Sequence, residues 1–68
     1  MSVALAKRIA RKISAFRRKR GLTSEQLAYE NQISKGYLSE IENGKKLPSL
    51  TVLEKIAKAL GVDIKELF

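Results

Sequence analysis

The sequence predicts an all-α protein, a compact bundle of five short helices. Three observations carry this. Apolar residues recur at spacings of three and four, most clearly Leu5, Ile9, Ile13, Phe16 and then Leu53, Ile56, Ala57, Leu60. A Ser, Thr or Asp stands ahead of each run as a cap: Ser2, Thr23, Ser34, Ser49 and Asp63. Gly21, Gly44 and Gly61 stand where runs stop. The 68 residues allow one small domain, read as 1–68, with 1–12 a basic extension of the first helix. A chain near this size buries only about 60% of its unfolded surface, so marginal stability is expected.

The first helix is expected over 2–20, from Ser2 to the Gly21 stop. It is strongly basic. Residues 1–20 hold eight cations and no acid, +8, whereas 21–68 hold six lysines against seven acids, −1. Lys7–Arg11 and Arg8–Lys12 are like-charge pairs one turn apart, each mildly unfavourable in an isolated helix. Such a face implies an anionic partner or, more plainly, solvation. Arg17 differs. It points to the side of Ala6, Ala10 and Ile13, where an arginine requires a carboxylate. An Arg-rich amphipathic start also fits a transit peptide, but Ile13 and Phe16 are needed for the core. The start lacks the apolar run of a secretory signal, and no stretch has the length of a transmembrane span. A membrane-surface helix over 3–12 is a further reading.

The next two helices form one unit, 23–44. Thr23 and Gln26 make a capping box, with Leu22 and Leu27 as its hydrophobic staple. A helix therefore starts at Ser24 and buries Leu27 and Ala28. Asn31-Gln32 breaks it. Ser34 caps the following helix, 35–43, inside a second staple, Ile33 and Leu38. Leu38 and Ile41 face inward, and Gly44 stops the helix in a left-handed conformation. Its other face holds Gly36, Ser39, Glu40 and Asn43, flanked by Lys35 and Tyr37. That face is short, polar and nearly free of bulk. Gly36 costs about 1 kcal/mol of helix propensity relative to alanine but lets the backbone approach a flat object. An ordinary solvated face is the plain alternative. Beyond Gly44, Ser49 caps the fourth helix. Asp63 and Glu66 box a fifth, with Val62 and Leu67 as staple. Leu67 is expected in the core, and Phe68 in the core or at a dimer contact.

The segment LTSEQLAYENQISKGYLSEIENGKKLPS resembles the helix-turn-helix family of phage repressors, Cro proteins and related bacterial regulators. The likeness rests on Leu27-Ala28, Ile33-Ser34, Leu38, Ile41 and Glu42-Asn43-Gly44-Lys45, and continues through Pro48-Ser49 and LEKIAKALGV. One departure is Gln32, where the family usually has glycine. A left-handed non-glycine residue costs about 1–2 kcal/mol, so a strained or reshaped turn is expected. The resemblance implies a lambda-repressor-like domain with a buried Arg17–Glu42 ion pair. It also implies base reading at the positions of Lys35, Gly36 and Glu40, supported from Ser24.

The expected function is sequence-specific binding of double-stranded DNA and regulation of transcription, with helix 35–43 in the major groove. There Lys35 can donate to guanine O6 or N7, Glu40 can accept from cytosine N4, and Ser34 and Ser39 are less selective. Tyr37 can meet a thymine methyl or a phosphate. Asn43 completes the face, and Lys45 and Lys46 are phosphate contacts. A weak homodimer on a near-palindromic site is expected, in the cytoplasm. An antitoxin or transcriptional adaptor, whose main contact is a protein, is the alternative; a membrane-active protein driven by the first helix is another. An enzyme is excluded by chemistry. There is no Cys or His, hence no thiol, imidazole or usual zinc set, and no nucleophile–base constellation or glycine-rich phosphate loop. No cofactor, metal or small-molecule substrate is expected.

Overall fold

The computed structural model describes residues 3–68; Ser2, the expected cap of the first helix, lies outside them. Four α-helices follow one another: α1 (Val3–Lys19), α2 (Ser24–Glu30), α3 (Lys35–Glu42) and α4 (Leu50–Leu60). The fifth expected helix is instead a 3-10 helix, Ile64–Leu67. Its capping contacts form: Asp63 accepts from the Lys65 amide at 3.1 Å, and Glu66 accepts from the Asp63 amide at 3.0 Å. Only one turn follows the cap, however. It is closed by i→i+3 bonds, Glu66 N to Asp63 O at 2.9 Å and Phe68 N to Lys65 O at 3.3 Å. A single turn is the usual length for 3-10 geometry.

α1 is the spine against which α3, α4 and the 3-10 helix pack. Ile9 and Ile13 from α1 meet Leu27, Leu38, Ile41, Leu53, Ile56, Leu60 and Leu67 in one buried cluster. Each fully buried Leu or Ile contributes about 1.5–3 kcal/mol. Leu38 and Ile41 thereby fix which side of α3 faces out. The described part of 1–12, expected as an extension, belongs to this core, because Ala6, Ile9 and Ala10 are buried. The apolar face that a membrane-surface helix would need is turned inward. Phe16 is half-buried against the cluster, and Phe68 remains 37% exposed.

All four α-helices end in the same hydrogen-bonded turn. An amide two or three residues past the helix end reaches back five residues: Leu22 to Arg17, Ile33 to Ala28, Lys45 to Glu40 and Val62 to Ala57, at 2.9–3.1 Å. The residue immediately before that amide must then be left-handed. Three are glycines; the fourth is Gln32, at φ 57°. The departure at the motif's turn is therefore accommodated as strain, with the backbone path unchanged. At Gly44 a second constraint adds to its φ of 72°: a Cβ there would lie 3.3 Å from the Cα of Lys7. The glycine lets α1 and the end of α3 touch.

Candidate nucleic-acid interface

The α2–α3 unit is locked to α1 by one buried polar cluster. The Arg17 guanidinium donates Nε to both Glu42 carboxylate oxygens, at 3.1 and 3.0 Å, and its Nη2 stands 2.9 Å from Oε1. Ser14 Oγ donates to the same carboxylate at 3.0 Å. Arg17 Nη1 reaches the Leu22 carbonyl at 2.9 Å, in the link to α2. The Arg17 and Glu42 side chains are only 15% and 10% exposed. Buried charge is tolerated when it is paired and its remaining hydrogen-bonding groups are satisfied, as here. This cluster ties the C-terminal end of α3 and the link into α2 to α1. Ser14 escaped the sequence reading; its one signal is its place a turn before Arg17 on the same side of α1.

The outer face of α3 is open. Nothing lies within 4 Å of where a Cβ would stand on Gly36. Ser39, Glu40 and Asn43 are exposed beside it. Asn43 folds back, donating Nδ2 to the Ser39 carbonyl at 2.8 Å. It is the C-cap, so α3 is one residue shorter than the expected 35–43. Lys35 is not free: its ammonium lies 2.8 Å from the Glu25 carboxylate on α2. That contact, first as a hydrogen bond and then as a charge pair, lowers the Glu25 carboxyl below its ordinary value and raises Lys35 above its own. Glu40 likewise pairs with Lys46, at 3.4 Å. Glu25 was missed because the pair spans two helices and has no local signature.

The remaining candidates divide by environment. Ser34 spends its hydroxyl on the cap, accepting from the Tyr37 amide at 3.0 Å. Ser24 is half-buried at the first position of α2. Tyr37 is half-buried against the core; its hydroxyl accepts from the Ser49 amide at 3.4 Å, and the Lys46 ammonium sits 5.8 Å from its ring centre. Lys45 is exposed directly after the α3 stop. Seven of the ten residues thus lie on α3 or its caps with their backbone held rigidly, and the charged ones carry exchangeable partners. No described helix is long and apolar enough to cross a membrane.

Two short helices joined by a tight turn, the second presenting a polar face clear of the bundle, define a helix-turn-helix domain. The HTH_3 helix-turn-helix family model matches residues 13–67, and the chain belongs to that family. An immunity repressor protein of Bacillus phage phi105 is 41% identical over 56 residues, which is 82% of this chain and 39% of that repressor. The chain thus spans about two fifths of that relative's length. The restriction-modification controller protein C.AhdI of Aeromonas hydrophila superposes with a TM-score of 0.90 at 29% identity, covering 96% of this chain and 98% of that one. The controller protein C.Esp1396I, as a tetramer in complex with its natural 35 base-pair operator, matches with a TM-score of 0.79 at 31% identity over 93% of each chain. These relatives are regulators, not enzymes.

Proposed function

We propose that this chain is a sequence-specific regulator of transcription that inserts α3 into the major groove of duplex DNA. The observation that carries the reading is the outer face of α3: polar, uncluttered at Gly36, and fixed to the bundle by the Arg17–Glu42 cluster. Lys35 and Glu40 read base edges, with Ser39 and Asn43 beside them. Ser24 supports the base-reading positions from α2, Ser34 and Tyr37 hold the entry of α3, and Lys45 and Lys46 meet phosphates. One domain of this size reads only a few base pairs. It therefore works as a weak homodimer on two half-sites about one helical turn apart. The operator-bound tetramer of C.Esp1396I supports assembly on DNA in this family. The site of action is the cytoplasm.

Selection from random duplexes, followed by sequencing, tests this. The expected product is a near-palindrome whose preferred bases change in Lys35→Ala and Glu40→Ala. Selected sites without two-fold symmetry would overturn the homodimer, and base preference unchanged in both variants would overturn the reading face. A chain that selects no sequence and binds no DNA by itself would be an adaptor or antitoxin.

A further inference from the structure

Reading by α3 leaves most of the cations of the N-terminal helix without a role. The structure sorts its eight cations. Arg17 belongs to the buried cluster. Arg20 Nη1 donates to the Leu60 carbonyl at 3.1 Å, and Arg8 Nε donates to the Phe68 carbonyl at 3.2 Å. Lys7, Arg11, Lys12, Arg18 and Lys19 have no ion-pair partner among the described residues. At about 100° per residue, Lys7, Arg11 and Arg18 share the row nearer α3. Lys12 and Lys19 share the row of Arg8, toward Phe68.

The first row reaches the recognition helix. Lys7 touches Gly44: a Cβ there would lie 3.0 Å from Lys7 Cγ. Lys7 and Arg11 line a shallow pocket with Ala10, Glu42, Asn43 and Gly44. Glu42 does not neutralise them, because its carboxylate is taken by Arg17 and Ser14. Lys45 is the next residue after Gly44. Lys7 and Arg11 therefore form a ledge at the C-terminal end of α3, and the exposed Lys45 follows it in the chain.

We propose that Lys7 and Arg11, with Lys45, are a second contact surface for duplex DNA that grips backbone phosphates beside the end of the recognition helix. This rests on the reading of α3 as the groove-binding element. The like charges of Lys7 and Arg11, one turn apart, are then relieved by phosphate. An anionic membrane is the poorer partner. Interfacial helices bury an apolar face in lipid, and here Ala6, Ile9, Ala10 and Ile13 are already buried in the core. Both cations lie outside the span of the family model, which begins at residue 13, so this grip is a property of this chain beyond the matched motif.

The test uses the full chain on its selected duplex, with affinity measured against salt. Each phosphate contact contributes about 0.9 to the log–log salt slope. The Lys7→Gln/Arg11→Gln double variant should therefore lose about 1.8 from the slope. Between about 50 and 200 mM salt, the wild type should lose about twelvefold more affinity than this variant. Base preference should not change. Lys12→Gln/Lys19→Gln, on the row toward Phe68, should keep the wild-type slope, and Lys7→Arg/Arg11→Lys should restore it. If the double variant loses its helical circular dichroism, Arg11→Gln alone decides, with an expected loss of about 0.9. A wild-type slope in Arg11→Gln overturns the ledge, as does an equal loss in the Lys12/Lys19 variant. Cosedimentation with phosphatidylserine vesicles that disappears in Arg11→Gln while its salt slope stays wild-type assigns the patch to membranes instead. A wild type that prefers no duplex sinks the α3 reading and the ledge together. Preference that depends on Lys35 and Glu40, with an unchanged slope in Arg11→Gln, sinks the ledge alone.

Discussion

The inner and outer sides of α3 are both lined by ion pairs of similar length, and the two sides do opposite work. Arg17–Glu42 closes at 2.9 Å, Lys35–Glu25 at 2.8 Å and Lys46–Glu40 at 3.4 Å. Distance does not separate them; water does. The inner pair is 15% and 10% exposed, whereas Lys35 and Glu25 are 74% and 68% exposed. Salt and solvent screen an exposed pair until little net energy remains, so phosphate or a base edge can replace the partner. A buried pair cannot be exchanged, because removing one member strands the other. The inner side holds the helix in place, and the outer side keeps its charges available.

The largest effect that could break this contrast is on folding. Arg17→Met or Glu42→Gln alone should destabilise the domain by about 3–5 kcal/mol, enough to unfold a protein this small. Chemical denaturation measures it. Wild-type stability in both variants would mean that the inner pair is as dispensable as an outer one.

On the outer side, substitutions should change recognition and leave folding intact. Lys35→Ala and Glu40→Ala should each shift discrimination at one position of each half-site by about 5- to 150-fold. Lys45→Ala and Lys46→Ala should weaken all sequences alike and flatten the salt slope by about 0.9 each. Binding assays across single-base variants of the selected duplex separate these classes. A melting temperature lowered in Lys35→Ala as far as in Glu42→Gln would erase the distinction between the sides.

The turn between α2 and α3 provides a smaller effect of opposite sign. Relief of left-handed strain at Gln32 is worth about 1–2 kcal/mol. Glycine returns part of that, about 0.4–1 kcal/mol, as extra freedom of the unfolded chain. Gln32→Gly should therefore stabilise by up to about 1.6 kcal/mol, read as a higher denaturation midpoint. A lower midpoint would show that the Gln32 side chain makes a contact worth more than the strain.

The smallest effect is a titration. Glu25 is lowered when folded, so its contribution is full above the ordinary carboxylate range and disappears as pH falls through the lowered folded value. Lys35 is raised, so its contribution is full below the ordinary lysine range and is lost as pH rises through the raised folded value. The pair is intact across the neutral window. In Lys35→Ala, the Glu25 carboxyl midpoint should move upward by NMR. A midpoint that stays put would show that the pair is not what lowers it.

Helix starts and stops were legible because they depend on neighbours within five residues. Thr23 with Gln26, Ser34, Ser49 and the left-handed stops at 21, 32, 44 and 61 each complete their hydrogen bonds locally. The outward face of α3 was legible for the same reason, since Leu38 and Ile41 fix its rotation and the polar positions follow from helical geometry. Even there, a box at Asp63–Glu66 marked a start but not a type of helix; one turn of chain made it 3-10.

What only the tertiary structure decided are the contacts that join distant parts of the chain. Ser14 meets Glu42 across 28 residues, Arg20 caps the Leu60 carbonyl across 40, and Glu25 holds Lys35 across 10. None has a spacing signature, because side chains that meet through packing are brought together by the core, not by helical periodicity. The +8 of the first 20 residues was countable from the start. Its division into a buried lock, two carbonyl partners and a ledge beside Gly44 came from how α1 lies on its neighbours.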